Sequence, residues 1–135
     1  MPAITRRFLA TAAMMLLVGV GLGYLMLVRR DLFGAWPDRG MISAHTHLIL
    51  VGAVIQLIVG TAWWLFPRPP RAAPQASEGA VRAAWWFLTP GTLMRAGGEL
   101  WGLSLASLLG GTGQLLGMVL VVVALRRRVV PSRIG

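Results

Sequence analysis

Several long stretches of this chain contain no charged residue, and arginines lie between them. The first runs over 8–28 and the second over 43–66, and neither contains Asp, Glu, Lys or Arg. A third such stretch, over 102–125, is followed by consecutive arginines. Since a membrane-spanning helix needs roughly 20 apolar residues, each of the three is long enough to cross a bilayer. The pattern therefore predicts at least three transmembrane helices.

A further helix is predicted over 80–97, but its pattern is less regular. Only 12 uncharged residues separate Arg82 from Arg95, and Pro90 lies among them. At 1.5 Å per residue they cover about 18 Å of a hydrocarbon core about 30 Å thick. The segment can span a membrane only if Arg82 reaches back to the headgroups or Arg95 lies in protein. We favour four helices, with three helices and a re-entrant segment as the alternative.

The helix pattern predicts an all-α protein, a single integral membrane four-helix bundle over 1–135. With the N-terminus inside, nine arginines fall on the side of the termini and four on the other. Because positive charge accumulates on the cytoplasmic side, both termini are predicted to be cytoplasmic. We expect a multi-pass protein of the bacterial inner membrane. Arg6-Arg7 superficially resembles an export signal, but the uninterrupted apolar run up to Arg29 favours a retained helix.

The composition agrees with a membrane location and restricts the chemistry. Hydrophobic residues make up 56% of the 135 positions and charged residues 13%, with a formal net charge of +9. The arginines lie between apolar runs, so they indicate topology and contacts with anionic lipids rather than nucleic-acid binding. The absence of cysteine excludes disulfides, thiolate metal sites and iron–sulfur clusters built on this chain alone. No nucleophile–base pair, phosphate loop or carboxylate dyad indicates a catalytic residue.

The only two histidines, His45 and His47, stand at the start of the second apolar segment. Ionisable groups at membrane depth are candidates for a functional site, and imidazole is a common ligand of metals and haem iron. On a regular helix the two side chains point about 200° apart, so they cannot both bind one ion. We predict both as candidate cofactor or metal ligands. The alternative is two polar residues at a water interface.

The faces of the second helix differ in character. Small and polar residues share one face: His45, Gly52, Gln56, Gly60 and Trp63. At 100° per residue, His47 instead falls on an aliphatic face with Val51, Val54 and Ile58. The fourth helix has a stripe of its own: Ser107, Gly111, Gln114 and Met118. Such stripes predict close helix packing and would also leave room for a flat cofactor.

Arg95 and Glu99 are four residues apart, so they can form an ion pair on one helix. An interfacial salt bridge is one interpretation of Arg95. The other is that its guanidinium binds a haem propionate, because its fork of donors suits a carboxylate. The predicted topology places Arg95 at a depth similar to that of the histidines.

Three segments carry a resemblance to a known family: HTHLILVG at 45–52, GTAWWLFPR at 60–68 and LMRAGGE at 93–99. They resemble small membrane proteins related to the large subunit of haem–copper oxidases, in the branch of cbb3-type oxidases and nitric oxide reductases. The match covers about 90 residues, from Ser43 to the end of the fourth helix. It implies haem bound through a histidine near the outer membrane face. Haem b is the suspected cofactor, and copper is a further candidate.

The resemblance also bears on assembly. The large oxidase subunit has about twelve helices in units of four and needs more histidines for its binuclear centre than this chain has. A single chain therefore cannot build that centre. A homo-oligomer, suspected to be a trimer, would bring several copies of each histidine together.

Three functions remain open from the sequence. The first is a haem-binding membrane protein with a redox or diatomic-gas role. The second is a cofactor-free structural or assembly subunit of a respiratory or denitrification complex, with respiratory-chain partners. The third is a small channel or metal-handling protein that uses the histidines as a transient ion site. A visible absorption spectrum would separate them.

Overall fold

The computed structural model describes residues 1–66 and 78–126, and its described part is all-helical. Four helices follow one another along the chain: α1 (Ala3–Phe33), α2 (Arg39–Leu65), α3 (Glu78–Leu100) and α4 (Ser104–Arg126). The predicted all-α class and the count of four helices are confirmed. The Pro67-Arg68 end of the second resemblance segment and the chain after Arg126 lie outside the described residues.

Three of the helices, α1, α2 and α4, are long and apolar enough to cross a membrane. Their exteriors are apolar as well; for example, Leu17 on α1 is 75% exposed and Leu115 on α4 is 66% exposed. The helix α3 has 23 residues but is not in this set, in line with the charged residues that made its sequence pattern irregular. One face of α3 packs against its neighbours, since Leu88 and Thr92 are fully buried, whereas Trp86 and Leu93 on the other face are 59% and 47% exposed.

The helix α2 is not a regular α-helix along its whole length. It is α-helical over Arg39–His47, π-helical over Leu48–Ile55 and α-helical again over Gln56–Leu65. The Asp38 side chain caps its first turn by accepting a hydrogen bond from the Met41 amide. In a π-helix the backbone bonds run from i to i+5, so the turn is wider and the rotation per residue is smaller. π-helical insertions within α-helices are frequently found at functional sites. In this protein the π-helical stretch begins directly after His47.

The helices α3 and α4 form a hairpin whose backbones nearly touch. Gly102 closes the connection in the left-handed conformation, with φ of +68°, and the Leu103 amide donates to the Gly98 carbonyl at 2.7 Å. A Cβ built on Gly110 would lie 2.6 Å from the carbonyl oxygen of Gly91 and would overlap the Arg95 backbone. Glycine is therefore required at this crossing, as is typical of helices packed closely in membranes.

The interior has two apolar clusters at different heights of the bundle. The first gathers Ile4, Phe8, Val59, Trp63, Val81, Ala84, Leu88, Val121 and Ala124. The second, towards the start of α2, gathers Met15, Ala44, Leu48, Ala53 and Ala96. The interior also contains five buried polar side chains: Thr5, Gln56, Thr89, Thr92 and Gln114.

Candidate functional site

His45 lies in the contact between α2 and α1. Its Nδ1 is 2.8 Å from the carbonyl oxygen of Gly19. A Cβ built on Gly23 would lie 2.8 Å from the imidazole Cε1, so the absence of a side chain at this position makes room for the ring. A carbonyl oxygen only accepts hydrogen bonds, so the Nδ1 of His45 carries the proton of this bond. In the neutral ring, Nε2 then keeps its lone pair.

His47 is oriented in the same way by its own helix. Its Nδ1 lies 2.9 Å from the carbonyl oxygen of Ser43, one turn earlier. This bond also places the proton on Nδ1 and leaves Nε2 as the lone-pair nitrogen of the neutral ring. Within the described part of the chain, neither histidine has a hydrogen-bond partner at Nε2. Both imidazoles therefore have the tautomer and orientation that metal-bound histidines usually have.

His47 begins a cluster of polar and charged groups that joins α2, α3 and α4. Its Nδ1 is 3.6 Å from Oε2 of Glu99, and Oε1 of Glu99 accepts a hydrogen bond from Arg95 Nε at 3.1 Å. Arg95 Nη1 lies 3.5 Å from Oε1 of Gln114, whose amide donates to Thr92 Oγ1 at 3.2 Å. We call these five residues the outer polar cluster, after the side of the membrane on which the arginine distribution predicts them to lie. It confirms the predicted i, i+4 pair of Arg95 and Glu99.

The aliphatic surroundings predicted for His47 are wrong. His47 contacts Glu99 of α3, whereas Val54 and Ile58 are 41% and 55% exposed on the outside of the bundle. The prediction considered only residues of the second helix, whereas Glu99 belongs to α3; in addition, the π-helical stretch Leu48–Ile55 changes the rotation of 100° per residue that the prediction assumed after His47. The face predicted for His45 does point into the bundle: Gly52, Gln56, Gly60 and Trp63 are all buried.

Arg95 also reaches the outer surface of α4. It lines an open groove with a volume of about 420 Å³, together with Ser107, Leu108, Gly111, Thr112 and Leu115. A Cβ built on Gly111 would lie 3.1 Å from Arg95 Nη1, so the guanidinium extends across this glycine. About a third of the Arg95 side chain is exposed. The groove thus combines a cation and hydroxyl groups with leucine side chains, and this mixture suits an amphiphilic ligand with an acidic group.

A second buried polar network lies deeper in the bundle, around Gln56. Its Oε1 accepts hydrogen bonds from Thr11 of α1 at 2.7 Å and from Thr89 of α3 at 3.1 Å. Trp85 donates its ring N–H to Thr11 at 3.2 Å. The Gln56 Nε2 is buried without a partner among the described residues. The sequence indicated Gln56 but not its partners, because threonines in apolar helices usually bond to their own backbone.

The described residues contain no group of three or more His, Cys, Asp and Glu that could hold a metal ion. Comparisons of the chain with family models, with curated proteins and with solved structures found no match.

Proposed function

We propose that this chain is a membrane protein that binds haem b through Nε2 of a histidine at the outer end of α2, with His47 as the favoured ligand. The observation that carries the proposal is the bond between His47 Nδ1 and the Ser43 carbonyl oxygen, at 2.9 Å. A hydrogen bond at Nδ1 fixes the ring and makes Nε2 a better ligand. His45 has the same arrangement against Gly19 and is the second candidate.

Arg95 supports a haem in preference to a bare metal ion. It belongs to the same outer polar cluster as His47, and its guanidinium faces a groove that is open to the outside of the bundle. A guanidinium suits a propionate, which it can bind with two parallel hydrogen bonds. Arg95 is already paired with Glu99, so a propionate would share it with this carboxylate. The leucines that line this groove, Leu108 and Leu115, would contact the apolar part of an amphiphilic ligand whose acidic group Arg95 holds.

The residues of the chain have separate roles in this proposal. The Ser43 carbonyl keeps the proton of His47 on Nδ1, and Glu99 compensates the charge of Arg95 when no anion is bound. When bound, a haem would supply one-electron transfer or the binding of a diatomic gas. Since each copy of the chain contributes only two histidines, a homo-oligomer, for which we propose a trimer, would supply further imidazoles. Copper at the same imidazoles is the alternative metal.

We propose a multi-pass arrangement in the bacterial inner membrane with both termini in the cytoplasm. The support for a membrane location is the set of three apolar helices, and the support for the orientation is the distribution of arginines. In this orientation the outer polar cluster lies at the periplasmic side. Respiratory-chain proteins are the proposed partners because they exchange electrons with haem proteins at this membrane.

One observation favours a second function, that of a cofactor-free structural subunit of a respiratory or denitrification complex. Arg95 is paired with Glu99 within the chain, and Gln114 is paired with Thr92, so most of these polar groups have partners without a ligand; Oε2 of Glu99 has no hydrogen-bond partner among the described residues. A subunit of this kind would use its exposed apolar helices to bind larger membrane proteins. It would be colourless and would co-purify with them.

The variants His47→Ala and Arg95→Gln test the haem proposal. We expect His47→Ala to abolish the Soret band of the purified protein, whereas Arg95→Gln keeps a band but releases haem faster to an apo-globin acceptor. The control is Thr46→Ala, because among the described residues the Thr46 hydroxyl bonds only to the Ile42 carbonyl of its own helix. A colourless wild-type protein from cells with ample iron and haem would contradict the proposal and support the structural function.

A further inference from the structure

A polar pocket lies at the opposite end of the bundle from the histidines, between the first turns of α1 and α3. It has a volume of about 140 Å³ and is lined by Ala3, Ile4, Arg7, Glu78 and Arg82. We call it the inner pocket. It is independent of the outer polar cluster, with which it shares no residue.

The charges of the inner pocket do not cancel. Arg82 Nη2 lies 3.2 Å from Oε1 of Glu78, so these two side chains neutralise each other. Arg7 forms no ion pair within the described residues. The pocket therefore has one positive charge in excess, and Arg7 supplies it.

Arg7 is also held in place. Its guanidinium carbon lies 5.8 Å from the centre of a Trp85 ring, which is a cation–π distance. Trp85 is anchored in turn by its hydrogen bond to Thr11. A guanidinium that is fixed against a tryptophan loses less conformational entropy when it binds an anion than a free arginine does.

The backbone adds to the positive potential of this pocket. The helix α1 begins at Ala3 without a side-chain cap, and no acidic residue stands in its first turn. Within the described residues, its first amide groups therefore lack a capping side chain, and they carry the positive end of the helix dipole. Phosphate groups are the anions that such amide groups and a fork of guanidinium donors bind well.

The position of the pocket along α1 indicates a lipid headgroup as the source of the phosphate. At 1.5 Å per residue, the 31-residue α1 is about 46 Å long. This length is close to the thickness of a whole bilayer, that is, the hydrocarbon core together with both headgroup layers. The first turn of α1 therefore reaches the headgroup layer. Tryptophans such as Trp85 are enriched in this layer in membrane proteins. We propose that the inner pocket binds the phosphate of an anionic phospholipid headgroup between Arg7 and Arg82.

The test compares phosphatidylglycerol with phosphatidylcholine, each added to the full-length protein in detergent. We expect phosphatidylglycerol to raise the unfolding temperature and to remain bound in native mass spectra, and phosphatidylcholine to do neither. In Arg7→Gln the affinity for phosphatidylglycerol should fall about fivefold, since one arginine near a charged surface contributes on the order of 1 kcal/mol. Glu78→Gln should bind it more tightly than the wild type, because the competing carboxylate is removed. A gain in affinity cannot arise from misfolding.

Arg30 provides a matched control. It lies at the other end of α1, also 5.8 Å from a tryptophan ring, that of Trp36, and it is paired with Asp31. Arg30→Gln should therefore keep the response to phosphatidylglycerol. Equal responses of Arg7→Gln and Arg30→Gln would overturn the proposal. Stabilisation by inorganic phosphate alone, to the same extent as by phosphatidylglycerol, would overturn the assignment to a lipid.

Discussion

The Nδ1 of His45 lies 2.8 Å from the backbone carbonyl oxygen of Gly19, across the contact between α1 and α2. This bond joins the sequence segment that contains both histidines to the first helix. It requires a close approach of the two helices, and Gly23 permits that approach because a Cβ there would lie 2.8 Å from the imidazole.

The first prediction concerns Gly23→Ala. The added methyl group would push the His45 ring away from α1, and we expect a loss of about 1–3 kcal/mol in the free energy of unfolding. The measurement is denaturant or thermal unfolding in detergent. Gly21→Ala is the matched control, because a Cβ at Gly21 meets no atom within 4 Å. Equal effects of the two substitutions would show that His45 does not lie against α1 as described.

The second prediction concerns the charge pair of Arg95 and Glu99. Arg95→Met leaves Glu99, which is only 13% exposed, without its cation, so we expect a loss of about 2 kcal/mol in the free energy of unfolding. The double substitution Arg95→Met with Glu99→Gln removes both charges and should be more stable than Arg95→Met alone. A double-mutant cycle that gives no interaction energy between Arg95 and Glu99 would contradict the observed ion pair.

The third prediction concerns Gln56. Its buried amide nitrogen has no partner among the described residues, and Thr11 can still donate its hydroxyl to the Arg7 carbonyl at 2.9 Å if Gln56 is removed. Buried Thr89 would lose its acceptor in Gln56→Leu alone, so we expect the double substitution Gln56→Leu with Thr89→Val, in which both partners become apolar, to change the free energy of unfolding by less than about 1 kcal/mol. Gln56→Glu should be strongly destabilising, because it places an ionisable group in the interior. A large loss in the double substitution Gln56→Leu with Thr89→Val would indicate that the Gln56 amide has a further partner, such as a bound water.

The fourth prediction concerns the orientation in the membrane. The chain has no cysteine, so single cysteines can report which side each end of the bundle faces. In intact spheroplasts, a membrane-impermeant maleimide should label Ser104→Cys, at the first residue of α4. It should label Ala3→Cys only after the membrane is permeabilised. The reverse pattern would contradict the proposed orientation.

Much of the architecture could be predicted because it depends on local sequence. Three of the four helices follow from long charge-free runs that arginines interrupt, and α3 follows from a shorter run between Arg82 and Arg95. The pair of Arg95 and Glu99 follows from a spacing of four within one helix. The buried position of Gln56 was likewise indicated by the glycines that share its face.

The surroundings of His47 could not be predicted, because they depend on the π-helical stretch that follows it. Leu48–Ile55 is a uniformly apolar segment, and nothing in its residue types distinguishes a π-helix from an α-helix. The change in rotation along this stretch alters which residues share a face with His47. The contact of His47 with Glu99 also depends on the packing of α2 against α3, which local spacing does not determine.

The visible absorption spectrum of the purified protein, from cells supplied with iron and a haem precursor, tests the central proposal most directly. We predict a Soret band and a b-type spectrum on reduction in the wild type and in Thr46→Ala. The band should be lost in His47→Ala and in the double substitution His45→Ala with His47→Ala. A colourless wild-type protein, or a full band in the double substitution, would contradict haem binding at the outer end of α2.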